Sequence, residues 1–277
     1  MVASPNIRLT LSNRAENVLI VRQMLGAWAA HSGLQSTDLN DLLTAVSEAC
    51  NNVVLHAYGG QEGPLEVDLF AGSDATEVVV RDRGGGMDNK AVEAVREPAG
   101  IGISVIDALV QSSQRAEDGG VELRMSFATP GSRELESPAA TASPLLRQLA
   151  REELAGAVAL EVAPDALARA ILPRMLAVLA AQAHFPVETL IEVERCGDAL
   201  LAGAAAAAPR ARPGILASAH SGALFVRLGP LPAGSAGKVR ERAGRLRSSS
   251  LASLCAEPLA TSEAGELLGV RLDRPAI

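Results

Sequence analysis

Ser47-Glu48-Ala49-Cys50-Asn51-Asn52 is the stretch whose reading decides the fold. It lies in a run that opens at two good N-cap residues, Ser36 and Thr37, with Asp38 and Asp41 in the first turns. Leu42, Leu43, Val46, Val53 and Val54 supply an apolar face at helical spacing. Glu48, Asn52 and His56 stand at i, i+4 and i+8, which on an α-helix is one stripe beside that face. Two further stretches follow. Asp82-Arg83-Gly84-Gly85-Gly86 sets a carboxylate after the apolar strand Val78-Val79-Val80 and before a glycine turn. Gly100-Ile101-Gly102 opens a helix with glycines, where main-chain N–H groups can meet phosphate. Singly, each is commonplace: a solvated helix stripe, a turn aspartate, a Gly-x-Gly loop. In this order between residues 47 and 102 they describe a pocket for a magnesium-bound nucleotide.

Composition narrows the class. A chain of 277 residues is long enough for two domains. With 48% hydrophobic but only 2% aromatic residues, the core must be built from Ala, Val and Leu. A net charge of −7 argues against direct nucleic-acid binding, which needs a basic footprint. No apolar run is long enough for a membrane span. The first residues, Met1-Val2-Ala3-Ser4-Pro5-Asn6, lack the regions of a signal peptide. Cys50, Cys196 and Cys255 are too widely spaced for a zinc pattern and odd in number, so buried thiols in a cytoplasmic protein are expected.

Working outward from the Ser47–Asn52 helix, residues 7–11 alternate as a half-buried strand, and 15–30 read as a helix with Val18, Val21, Leu25 and Trp28 on one side. The helix from Ser36 is expected to run to about Tyr58, where Gly59-Gly60 stops it. Strands at 65–71 and 77–81, a polar stretch at 88–99, a helix at 101–110 and a strand at 121–127 complete the unit. Antiparallel strands on one side and helices on the other predict an α+β fold, a two-layer α/β sandwich. Its limits are 6–129. Residues 130–156, rich in Ser, Ala, Pro and charge, read as a linker.

Residues 157–275 repeat the order of elements. Val158–Val162 mirrors the first strand, 168–185 the first helix, and Pro186-Val187-Glu188 opens a second helix that runs to the alanine tract 204–208. Ala223–Arg227 matches Val78–Arg81, and 265–272 matches 119–125. A duplication is therefore expected. An offset of 150 residues puts Asp198 opposite Glu48 and Ala202 opposite Asn52, and the strands set Leu228 opposite Asp82. The second copy should be degenerate, without a nucleotide site.

The motifs over residues 6–129 resemble the GHKL ATPases, with their Bergerat ATP-binding fold. Within these they resemble the anti-sigma-factor serine kinases: Glu48-x-x-x-Asn52 falls on the N-box, Asp82-x-Gly84-x-Gly86 on the first glycine box and Gly100-Ile101-Gly102 on the second. His56-Ala57-Tyr58 is close to that subfamily's own wording. The resemblance implies ATP and Mg²⁺ as cofactors, with Asn52 as the metal ligand, Asp82 recognising adenine, and Gly84, Gly86, Gly100, Ile101 and Gly102 lining the nucleotide site. Glu48 would be the catalytic base toward a substrate serine. It also implies an anti-anti-sigma protein of the STAS type as substrate, a sigma factor as second partner, and a homodimer or an intramolecular pseudo-dimer. The chain departs from the family at Gly119-Gly120-Val121, where a hydroxyl often stands, and at Glu97-Pro98-Ala99, where a basic residue is common; Lys90 and Arg96 are the cations of the lid. An ATP-gated binding module and an ATPase clamp are the alternative readings.

Overall fold

Alternation along each strand decides which side of the sheet is covered. The computed structural model describes residues 5–34, 36–84, 106–117, 120–130, 157–162, 165–207, 214–220, 222–245, 254–256, 260–262 and 265–275. It divides into two units, Met1–Ser137 and Pro138–Ile277.

The first unit contains β1 (Ile7–Ser12), a 3-10 turn (Ala15–Asn17), α1 (Val18–Ser32), α2 (Ser36–Asn52) and a π-helical turn (Val53–Ala57). Then come β2 (Pro64–Ala71), β3 (Ala75–Asp82), β4 (Gln111–Glu117) and β5 (Gly120–Ala128). The strands are antiparallel in the order β1-β2-β3-β5-β4. Ile7 pairs with Leu69, Leu69 with Val78 and Val78 with Met125, so one apolar row crosses four strands on a single face. Helix α2 packs over β3 and β5, and α1 packs on α2. Val21, Met24, Leu25 and Trp28 of α1 and Leu42, Ala45, Val46 and Ala49 of α2 are buried, closing the second layer of the sandwich.

The other face of this sheet is charged. Asp68, fully buried, accepts from Arg8 at 2.7 and 2.6 Å and from Arg81 at 2.5 Å. Arg81 also reaches Glu122 at 2.6 Å, and Arg124 joins Glu122 at 2.7 Å to Glu77 at 2.5 Å. Burial opposes ionisation of Glu122, but the bonds from Arg81 and Arg124 outweigh it and hold the carboxyl below its ordinary value.

Two expectations need correction. The second helix does not run as an α-helix to Tyr58. It ends at Asn52 and continues as a π turn. The wider turn rotates the chain, so His56 is exposed while Glu48 and Asn52 are half-buried, and the three-residue stripe is cut to two. The polar strand β4 stands where no strand was expected. Of the expected helix at 101–110, residues 106–109 are helical; the rest up to 105, the polar stretch 88–99 and the linker beyond Pro130 lie outside the described residues.

The second unit has β6 (Ala157–Val162), α3 (Asp165–Gln182), α4 (Val187–Ala207), β7 (Gly214–His220), β8 (Ala223–Leu231), α5 (Ser235–Arg245), β9 (Leu254–Ala256), β10 (Ala260–Ser262) and β11 (Gly265–Asp273). Its order is β6-β7-β8-β11, with β10 and β9 sharing the outer edge of β11. Helix α3 packs on β6, β7 and β8, and α4 on α3. The same strand order therefore occurs twice, with the outermost strand continuous in one unit and split in the other. Cys50 and Cys196 are buried free thiols, pushed up by burial to about 12 and about 11. Among the described residues no helix is long and apolar enough to cross a membrane.

Candidate functional site

The end of α2 and the end of β3 meet. A Cβ placed on Gly84 would lie 1.9 Å from the carbonyl oxygen of Ala57, so the chain leaving β3 touches the main chain leaving the π turn. Only glycine permits that approach. Asp82 pairs with Leu65, whose side chain is buried under the helices, so its carboxylate is on the helix-covered face. It is half-buried there. One oxygen accepts from the N–H of Gly84 at 3.0 Å, and the N–H of Val121 is also donated to the carboxylate. Burial pushes the carboxyl above its ordinary value, and these two N–H groups offset only part of the rise. Gly120 completes the enclosure, since a Cβ there would lie 2.0 Å from the carbonyl oxygen of Asp82. A carboxylate has about four lone-pair sites, so two hydrogen bonds leave Asp82 acceptor capacity for an amine donor.

Glu48 and Asn52 lie one turn apart in the last turns of α2, both half-buried. The turn ahead of them is tied to α1: Arg22 donates to the Ser47 hydroxyl at 2.8 Å and to the Leu43 carbonyl at 3.3 Å, and the Ser47 hydroxyl donates to the same carbonyl at 2.5 Å. An acid and an amide thus stand on the last turns of a braced helix whose π-turn continuation touches Gly84 at Ala57. The structure brings Asp82 and Gly84 to that continuation and sets Glu48 and Asn52 on the turns ahead of it. Gly86, Gly100, Ile101 and Gly102, with Lys90 and Arg96, lie outside the described residues.

Three features of the site were not foreseen in the sequence. The Val121 N–H is a partner of Asp82, Gly120 is required by close approach, and the Tyr58 phenol bonds to the chain at Arg83. A glycine pair directly before the last strand is the signal for Gly120.

In the second unit Leu228, 1% exposed, stands on the corresponding inward row of β8. Asp198 is exposed and Ala202 carries no ligand atom. Glu266 at the start of β11 accepts from the N–H groups of Gly234 at 2.6 Å and Ala236 at 2.9 Å, so the chain's own carboxylate occupies the N-terminus of α5. Those two N–H bonds hold Glu266 below its ordinary value.

A helix with an N-box-like end, docked on a carboxylate and glycine turn over an antiparallel sheet, defines a nucleotide-binding class. Residues 11–127 match the family described as the histidine kinase-like ATPase domain. Serine-protein kinase RsbW of Bacillus cereus is 30% identical over 132 residues, 43% of this chain and 82% of its own length. The RsbW kinase of Halalkalibacterium halodurans is 30% identical over 132 residues, 43% and 80% respectively, and that of Bacillus pumilus 29% over 134 residues, 43% and 83%. A solved structure of the RsbU and RsbW domains of a Mycobacterium tuberculosis protein aligns with 48% of this chain and 34% of its own, at 24% identity and a TM-score of 0.34. The chain belongs to the histidine kinase-like ATPases, in the family of the RsbW serine-protein kinases.

Proposed function

We propose that the first unit is a cytoplasmic, ATP-dependent protein-serine kinase of the anti-sigma type, and that the second is a degenerate copy without a nucleotide site. The observation that carries the reading is the half-buried Asp82 carboxylate, set on the helix-covered face at a glycine turn that packs on the end of α2. In this reading Asp82 accepts from the amine of adenine. The donor set fits a magnesium nucleotide: magnesium takes one or two protein ligands plus phosphate oxygens and waters, and the Asn52 amide supplies such a ligand. Bound magnesium supplies charge neutralisation for the transferred phosphoryl group. Gly84 and Gly86, with Gly100, Ile101 and Gly102, line the nucleotide. Glu48 takes the hydroxyl proton of the substrate serine, a role worth roughly 10²- to 10⁴-fold in rate.

The substrate is a small anti-anti-sigma protein and the second partner a sigma factor. A test follows from labelled ATP and a candidate partner. Phosphate should move to a serine of the partner, and Glu48→Gln should cut transfer by at least roughly 10²-fold while ATP affinity stays within a few-fold. Normal transfer by that variant would remove Glu48 as the base. Val121 favours a second reading, an ATP-gated binding module, because it gives its N–H to Asp82 but offers no hydroxyl to phosphate. ATP-dependent partner binding without transfer would select that reading.

A further inference from the structure

We infer that Tyr58 is the positioning residue of the base-recognition turn: its phenol joins β2 to the end of β3 and fixes the main chain that presents Asp82. The inference rests on the reading of Asp82 as the group that meets the adenine amine. The phenol donates to the Pro64 carbonyl at 2.5 Å and accepts from the Arg83 N–H at 2.7 Å. A hydroxyl has one proton and two lone pairs, so the donor is committed and one acceptor site is used. Arg83 is the residue between Asp82 and Gly84, and Pro64 opens the strand that pairs Leu65 with Asp82. The phenol therefore bonds to both strands beside the carboxylate.

The ring is held as firmly as the hydroxyl. A Cβ on Gly63 would lie 2.1 Å from Cε1 and 2.3 Å from Cδ1 of Tyr58, so the ring lies directly on the main chain ahead of β2. The preceding residue, Ala57, is the one whose carbonyl touches Gly84. Residues 57 and 58 thus grip 83 and 84 in succession, and the π turn is what delivers them there. Burial pushes the phenol up to about 12, so it keeps its proton, and its donated bond, throughout the neutral range. At the 150-residue offset the second unit has Ala208 opposite Tyr58, and its strands set Leu228 opposite Asp82: the clasp and the carboxylate are absent from its sequence together.

The test uses the full chain and Tyr58→Phe, which keeps the ring over Gly63 and removes only the hydroxyl. Affinities for ATP and for inosine triphosphate are compared, because the second carries a carbonyl where the first carries the amine. The wild type should prefer ATP. The variant should lose about ten-fold in ATP affinity, the scale of one hydrogen bond, and most of its preference for ATP, with a modest drop in thermal midpoint as the Pro64 carbonyl loses its donor. Without nucleotide, exchange of the Arg83 amide should quicken. Equal losses for both nucleotides, whatever the thermal midpoint, would show a merely structural role and overturn the inference. Unchanged affinities, or unchanged exchange at Arg83, would overturn it too. A wild type that does not discriminate the two nucleotides would remove Asp82 from the base pocket and the inference with it; discrimination kept intact in the variant sinks the Tyr58 role alone.

Discussion

At the end of β3 the first unit holds Asp82, half-buried and bonded by the Gly84 and Val121 N–H groups; at the matching place on β8 the second unit holds Leu228, buried at 1% exposure. In the first unit the chain after that strand is a glycine turn packed against the end of a helix. In the second it runs through Gly234 into α5, whose first N–H groups are taken by Glu266. The outer faces differ as well. One carries the chain of ion pairs from Arg8 to Glu77, the other a small apolar cluster of Ala157, Ala159, Leu216 and Leu267 and the Arg271–Asp273 ion pair. The inward rows of both sheets remain alternating and apolar. The sandwich depends on those rows, and the site depends on a few residues at strand and helix ends, so one can be lost without the other.

Four experiments bear on this contrast. The largest effect is expected at the outer face. Asp68→Ala leaves the Arg8 and Arg81 guanidiniums without their buried partner, and should cost about 3 kcal/mol in urea unfolding, toward the lower end for a broken buried pair because both arginines keep some water contact. Leu216→Ala in the second unit should cost about 2 kcal/mol by lost burial. The pair interactions of the first should weaken in high salt, and the second should not respond. Equal salt responses would break the contrast between the faces.

Next comes close approach. Gly84→Val forces a side chain into the Ala57 carbonyl, and neither main chain is free to yield; with overpacking costs of roughly 1–3 kcal/mol, ATP affinity should fall about ten- to a hundred-fold. Gly237→Ala, in a helix of the second unit with open space around it, should leave ATP affinity unchanged and stabilise by about 0.5–1 kcal/mol. ATP affinity left unchanged by Gly84→Val would take this turn out of the pocket.

A smaller effect follows from acidity. The folded carboxyl of Asp82 lies above its ordinary value of 3.8, so the fold favours the protonated form and loses that preference as pH rises through the raised value. Binding runs the other way, since only the ionised group is purely an acceptor for the amine. ATP affinity should fall as pH drops through a value above 3.8, and affinity for inosine triphosphate, which has no amine for the carboxylate to accept from, should lack that limb. The same acid limb with inosine triphosphate would assign it to another group. The smallest effect is Glu266→Gln, which weakens the cap on α5: a slight drop in thermal midpoint, with ATP affinity untouched. Altered ATP binding there would place Glu266 in a nucleotide site after all.

The helix from Ser36 to Asn52 and the Asp82 turn were legible because each is local: an apolar period with an N-cap, and an acid after three valines before glycines. The strand β4 was not, because Gln111-Ser-Ser-Gln-Arg-Ala-Glu117 has no apolar alternation, as suits the outermost strand of a sheet. Helix α5 was missed for the same reason, being polar with glycines inside it. The π turn was invisible because Val53 to Ala57 fit an α-helix as well as a wider one, and its cause is nonlocal: Ala57 and Tyr58 must reach residues 83 and 84. The partners of Tyr58 lie 6 and 25 residues away, and no spacing rule connects them.

The claim that the two units share a sandwich but not a site is tested most directly by the stoichiometry of nucleotide binding. Isothermal titration of the full chain with ATP and magnesium should give one site per chain, and none in Asp82→Asn with the fold intact by circular dichroism. Two sites per chain, or one that survives Asp82→Asn, would contradict it.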